Sequence, residues 1–426
     1  MISFTLVFPH TILANPLTVD TNADKKYQAT IVVSDNNVKI VNIVAPSSQG
    51  VSHNKFKDYN VNRQGLILNN ANTSNVNTQL AGYIKGNTNL RGKSTARTII
   101  NEVTSKNRTQ LRGYTEVAGS SAHVIIANPN GIYIKNAGFI NTPKATITTG
   151  TPNYSNNTLV GYSVDKGLIE IHGEGLNTTD VNQAELYAQA VIINAKINAK
   201  NIDILTGTNT ITLAGDITKQ TSSNPTELFS IDSSNLGGIY ANKIKLIGTE
   251  SGVGINLPIE IAAQDNLTIS ADGKISIKDT SATNSIDIKS TSDDIETQKM
   301  FAKNIKLDAK KTITNKEFIA SGEHLDITAN TLINEKDILA GVHKEIVENS
   351  VESNDLEKEY TLSFDDTINT NANLDIKTQT LVNTNALIKA KNKIIITNEQ
   401  ILNNENASIT TLQGDMDISS QSLESS

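Results

Sequence analysis

The chain has no Cys and no Trp, only 8 Pro, and aromatic residues make up 4% of its 426 positions. Without Cys there can be no disulfide framework, no thiolate metal site and no Cys nucleophile. Charge of either sign is not in large excess: 37 Lys+Arg stand against 44 Asp+Glu, a formal charge of −7. Such a balance gives the chain as a whole no attraction to nucleic acid or to an anionic membrane. Long apolar runs are missing too, since no stretch reaches the roughly 18 residues a membrane-spanning helix needs. Helix signals are almost absent, with no extended run of apolar residues at three- and four-residue spacing behind a capping residue.

What is present is Asn, about one residue in eight. Asn tolerates the left-handed backbone and caps turns with its own side chain, so the excess predicts many tight corners. Between the corners lie short strands in which β-branched residues alternate with polar ones, such as Ile169-Glu170-Ile171, Ile202-Asp203-Ile204 and Ile286-Asp287-Ile288. These strands repeat. Asn373-Leu374-Asp375-Ile376 returns as Lys393-Ile394-Ile395-Ile396, Leu381-Val382-Asn383 as Ile401-Leu402-Asn403, and Ile305 and Leu307 as Leu325 and Ile327, each about 20 residues on. A period of that size marks a solenoid, in which no coil can bury its apolar face alone. The fold class expected is all-β, a parallel β-helix of three short strands per coil. Dividing the chain by about 20 to 22 residues gives roughly 19 coils and a rod of about 90 Å. Stacked corners would set Asn over Asn in amide ladders. An exposed first edge needs a cover, which falls to Asn15 to about Asn60. Val342 to Thr367, with Glu345, Glu348, Glu352, Asp355, Glu357, Glu359, Asp365 and Asp366, reads as an acidic hairpin or loop leaving the rod.

Met1 to Ala14 (MISFTLVFPHTILA) resembles the second half of a secretory signal peptide, incomplete because the first Lys is Lys25. The mature chain is expected to start near Asn15.

Specific residues say more. Gln49 to Phe56 (QGVSHNKF), Tyr59-Asn60-Val61 and Gly65 to Asn70 (GLILNN) open a series of ordered motifs. Ala96 to Val103 (ARTIINEV), Leu111 to Gly119 (LRGYTEVAG) and Ala122 to Gly131 (AHVIIANPNG) continue it, followed by Leu236 to Ala241 and Gly248 to Gly254. Together they resemble the N-terminal secretion domain of two-partner secretion exoproteins, of the filamentous haemagglutinin and contact-dependent growth inhibition type. The resemblance implies a right-handed parallel β-helix with extra-helical hairpins, a secretion domain over residues 15–265, and haemagglutinin-type repeats over 266–426. It implies an address and not an enzyme. Such a chain crosses the inner membrane unfolded through the Sec translocon, is recognised in the periplasm by the POTRA domains of an outer-membrane transporter, and folds outside the cell.

Two motifs carry the recognition expectation. Asn128-Pro129-Asn130-Gly131-Ile132 matches the family's NPNGI, a turn with Pro pre-set at its second position. As a folding corner and as a transporter contact it fits equally well. The family's NPNL is matched by Asn87-Thr88-Asn89-Leu90, where Thr88 replaces the Pro and leaves the turn less pre-organised. Where growth-inhibition exoproteins often carry two Cys stand Ile134 and Ala137, a departure that points away from that subgroup and leaves packing to replace a covalent link. All five Arg (Arg63, Arg91, Arg97, Arg108 and Arg112) lie within the first 112 residues, among Lys85, Lys93 and Lys106. As one patch, Arg91, Arg97, Arg108 and Arg112 could steer an acidic POTRA surface; a merely solvated face is the plainer reading.

Chemistry has little footing. The adjacent pairs Asp293-Asp294 and Asp365-Asp366 have no Arg after Arg112 to work with, and the six His show no ligand spacing. No cofactor, metal or nucleic acid is expected, and His53 reads as a structural hydrogen-bonding residue. Two functions remain: a secreted adhesin-like filament, or the delivery stalk of a growth-inhibition toxin or haemolysin whose effector lies beyond Ser426.

Overall fold

A computed structural model describes residues 17–155, 158–220, 228–347, 359–364 and 371–425. Each coil contributes one short strand to each of three parallel faces. Face one runs from Lys39–Asn42 through Leu66–Asn70 and Tyr114–Gly119 to Ser408–Thr411. Face two runs from Val51–Asp58 through Thr98–Val103 and His123–Ala127 to Met416–Ser420. Face three runs from Asn60–Val61 through Thr109–Leu111 to Leu423–Ser425. Some strands bend across a corner: Ile132–Ile140 begins on face three and ends on face one.

Alternation fixes the inside. In Asn266–Ala271 only Leu267, Ile269 and Ala271 are buried, because successive side chains point to opposite sides of a strand. In-register pairing then stacks Leu267 on Ile286, Ile305, Leu325, Leu374 and Ile394. Burying each such side chain stabilises the fold by about 1.5–3 kcal/mol, and the columns merge into one core.

The repeat behaves as expected at Ile305 over Leu325 and at Asn373-Leu374-Asp375-Ile376 over Lys393 to Ile396. It differs at the next strand. An irregularity between Thr378 and Thr380 shifts the register, so Leu381 pairs with Leu402, not Ile401. The coil count also differs. Face two holds fourteen strands among the described residues, a rod of about 60 Å at about 4.8 Å per coil. Even division had counted excursions as coils: Val51 and Thr98 are neighbours, as are Leu325 and Leu374. The first-edge cover is shorter than Asn15 to Asn60. Thr30–Val33 pairs antiparallel with Lys39–Asn42, and Thr18–Val19 with Phe56 and Asp58. Val41 and Ile43 already point into the core, so the helix starts at Lys39.

Among the described residues, three excursions seal apolar patches on the outer surface. The hairpin Asn75–Thr78 with Gly82–Lys85 lays Ile84 over Ile40, Ile67 and Ala118 of face one. A four-stranded antiparallel sheet, Thr151–Ser155, Thr158–Val164, Asn209–Thr212 and Ile217–Lys219, packs Leu159, Tyr162, Val164 and Ile211 on Ile100, Ile125, Tyr187 and Leu205 of face two. A second hairpin, His343–Val347 with Glu359–Ser363, accompanies Leu362 and Phe364 over Ala320 and Leu339 of face one. That hairpin stands in the acidic segment; Glu348, Glu352, Asp355, Glu357, Asp365 and Asp366 lie outside the described residues, as do Met1 to Ala14.

Polar side chains follow the axis. Asn315 donates to Asn334 at 2.7 Å and Asn334 to Asn383 at 2.8 Å, a fully buried amide ladder. Asn136, Asn385 and Asn406 hold left-handed corners between faces three and one.

Candidate functional site

Asn128 to Gly131 makes the corner between His123–Ala127 of face two and Ile132–Ile140. The Asn128 carbonyl accepts from Gly131 N–H at 3.1 Å, and its side-chain oxygen accepts from Asn130 N–H at 3.0 Å. Its amide nitrogen donates back to the preceding coil, to Asn107 O at 2.9 Å and Thr109 Oγ1 at 3.0 Å. Asn130 donates to Ser105 O at 2.8 Å. Gly131 has φ +103°, and a Cβ there would come within 2.9 Å of Leu168 O, so only glycine fits. Asn128 and Ile132 are fully buried, leaving Pro129 and Asn130 half-buried at the surface.

Asn87 to Leu90 builds the same turn without proline. The Asn87 carbonyl accepts from Leu90 N–H at 3.0 Å and its side chain from Asn89 N–H at 2.9 Å. The Asn87 amide donates to Ile43 O and Asn69 O at 2.9 and 2.8 Å, and Asn89 donates to Asn42 O at 3.2 Å. Thr88 is exposed and Leu90 fully buried. The side-chain acceptor of the first Asn makes the turn, and the second residue only decorates it. Ile134 and Ala137, the positions of the absent Cys pair, are both buried in the core.

The five Arg do not form one patch. Arg91, Arg97 and Lys93 lie at the corner between faces one and two, and Arg108 and Lys106 at the corner between faces two and three. Arg63 and Arg112 stack at the third corner, while Lys85 belongs to the first hairpin. Arg108 is tied to Glu170 at 3.0 Å, and Arg97 donates to Gln49 O at 2.9 Å. A linear cluster is divided by the geometry of a three-cornered coil.

A polar cluster on face two was not legible beyond His53. His53 Nε2 lies 2.6 Å from Glu102 Oε2 and its Nδ1 2.9 Å from the Tyr154 hydroxyl. Tyr154 stacks on the ring at 5.4 Å and Tyr27 tilts against it at 4.9 Å. The cluster joins edge cover, first coil, second coil and the four-stranded sheet. Burial works to raise the Glu102 carboxyl, but the hydrogen bond and charge of His53, with Lys55, outweigh it and hold it below its ordinary value. Further along, His123 meets Thr146 at 2.8 Å, Thr146 donates to Glu185 at 2.6 Å, and Lys144 pairs with Glu185 at 2.7 Å. Burial, helped by Lys144, pushes His123 down to about 3. Burial raises Tyr162 and Tyr187 far above the ordinary tyrosine value. Among the described residues no group of three or more His, Asp or Glu is arranged to hold a metal ion.

Comparison with known proteins adds the family. The TPS secretion domain family matches residues 16–277. The chain belongs to this family. The chain is similar to the 16S rRNA endonuclease CdiA of Enterobacter cloacae, 38% identical over 295 residues, 69% of this chain and 9% of that protein. It is similar to the tRNA nuclease CdiA of Escherichia coli strain NC101, 43% identical over 255 residues, 60% and 8% of the two chains. To the tRNA nuclease CdiA-2 of Burkholderia pseudomallei it is 41% identical over 251 residues, 58% and 8%. The chain therefore spans less than a tenth of the length of these relatives. Among solved structures, the filamentous hemagglutinin secretion domain superposes with a TM-score of 0.63 at 27% identity, over 68% of this chain and 97% of that one. The missing Cys pair had pointed away from the growth-inhibition group, yet relatives of that group match; buried Ile134 and Ala137 fill the space without the link.

Proposed function

We propose that this chain is a secretion address continued by the first coils of a β-helical stalk, with no catalysis of its own. The observation that carries the reading is the TPS match over residues 16–277 on a helix whose ladders continue unbroken to Leu423–Ser425. Its partners are the Sec translocon and then the POTRA domains of an outer-membrane transporter, and its destination is the outer-membrane surface or the extracellular space of a Gram-negative bacterium. Each of the two Asn corners acts twice, in different roles. In the folded corner the side chains of Asn87 and Asn128 are committed to carbonyls and hydroxyls of neighbouring coils. A transporter can therefore read them only before folding, after which they close the coils. With the first strands of faces one and two covered by Thr30–Val33 and Thr18–Val19, coils add at the opposite edge. Each addition buries apolar surface and completes a backbone ladder, which favours outward movement.

The delivery-stalk reading is favoured by the CdiA relatives, whose printed nuclease activities we assign to regions outside the span shared with this chain. The adhesive filament rests on the likeness to the hemagglutinin secretion domain. The coding sequence beyond Ser426 separates the two: a nuclease-type domain supports the stalk, and further repeats alone support the filament. Binding to immobilised POTRA domains tests the address. Chain freshly diluted from urea is expected to bind at least about tenfold tighter than folded chain; equal binding would overturn recognition before folding.

A further inference from the structure

At the corner between faces three and one, successive coils place Arg63, Arg112, Lys135 and Glu174 around a cleft of about 360 Å³. Elsewhere along the helix, several cations at or near corners pair with a carboxylate one coil away, whereas others, such as Lys278 and Lys336, are without an ion pair among the described residues. Lys274 and Lys316 both hold Glu296, at 2.8 and 2.6 Å, Lys303 holds Glu323 at 3.1 Å and Lys311 holds Asp293 at 2.9 Å. In this cleft three unpaired cations come together: none of Arg63, Arg112 and Lys135 makes an ion pair or a side-chain hydrogen bond among the described residues. Three positive charges face one carboxylate, Glu174. Arg112 Nε is buried with no acceptor, and an unmet buried donor is costly enough to be rare. The backbone keeps the cleft open. A Cβ on Gly173 would fall 2.8 Å from Lys135 Cγ, so glycine lets the lysine stem lie across the corner.

We propose that this cleft binds a phosphate-type oxyanion, either free phosphate or the headgroup phosphate of an anionic phospholipid. Two guanidinium forks and an ammonium supply planar paired donors and a mobile point charge around one centre, which suits an anion with three accepting oxygens. Cleft volume lies within the range of small-ligand sites. The site is independent of the transporter reading, since it needs the folded coils that the transporter does not see.

The chain has only five Arg, so selective ¹⁵N labelling gives five Arg Nε–H signals. Titration with inorganic phosphate is expected to move those of Arg112 and Arg63, with sodium chloride at matched ionic strength leaving them in place. Arg112→Gln is expected to weaken phosphate binding by about tenfold, and Arg91→Gln, at another corner, to leave it unchanged. Should Arg112→Gln fail to fold, the exposed Arg63→Gln and Lys135→Gln carry the same test. Flotation with phosphatidylcholine vesicles, with and without phosphatidylglycerol, separates the sources. Retention on anionic vesicles that is lost in Arg63→Gln assigns the lipid headgroup, and phosphate binding without retention assigns the free ion. Equal movement of all five Arg signals, or the same movement in chloride, overturns the proposal.

Discussion

The first coils and the later repeats solve one packing problem in different ways. Beyond Gly254 the coils advance by about 20 residues, apart from the excursion between Ala340 and Ala372, and polar side chains pair one rung away with like or oppositely charged partners, as in Asn315, Asn334 and Asn383 or in Lys274, Glu296 and Lys316. Before it, corners are individual. Asn54, Asn70, Asn87 and Asn128 reach carbonyls of particular neighbours, and two of the three excursions seal particular patches. A repeat can exchange one rung for another, whereas each early corner has one partner set. The TPS match takes in all of the individual corners and ends at residue 277, within the regular coils.

Substitutions can break that contrast. The largest effect is expected at Tyr162→Ala, which empties the interface between the four-stranded sheet and face two; a loss of about 3–5 kcal/mol is expected from urea unfolding followed by circular dichroism. Asn128→Ala removes the corner's acceptor and both donors, and is expected to cost about 2–4 kcal/mol in the same assay. Its repeat-region counterpart Asn392→Ala loses one half-buried rung bond to Asn373 and is expected to cost less than about 1 kcal/mol. Equal costs for the two would abolish the distinction.

Acid sharpens the comparison next. His123 titrates near 3 in the fold against 6.5 unfolded, so the folded state binds fewer protons. Its stabilisation is complete above about pH 6.5 and declines as pH falls toward 3, by about 1.4 kcal/mol per unit. Between pH 7.5 and 5 the early coils are expected to lose about 2 kcal/mol, a loss that His123→Gln should remove. Glu102 is also held low, so its contribution persists until pH falls below about 4.5 and then adds to the loss. Least affected is Lys274→Gln, where an exposed pair along the rod is expected to change stability by no more than about 0.5 kcal/mol.

The repeat was legible because alternation and a 20-residue offset coincide in segments such as Asn373 to Ile376 and Lys393 to Ile396. The slip that sets Leu381 on Leu402 was not, since one inserted residue leaves the alternation on either side unchanged. The four-stranded sheet was hidden for a similar reason: Tyr162 and Val164 show the same two-residue alternation inside a lid as inside a coil. At the Asn87 turn the absent proline is the visible departure, while the bend itself is formed by the Asn side chain. The Arg cluster misled because neighbours in sequence occupy different corners, while Arg63 and Arg112, far apart in the chain, meet at one.

Secretion of residues 17–277 from a Gram-negative host, behind a complete signal peptide, tests the central claim most directly. With the cognate transporter co-produced, folded chain is predicted in the medium, and without it the chain should stay in the periplasm. Equal amounts in the medium with and without the transporter, or none in either case while the signal peptide is cleaved, would contradict the assignment of this region as a transporter-dependent address.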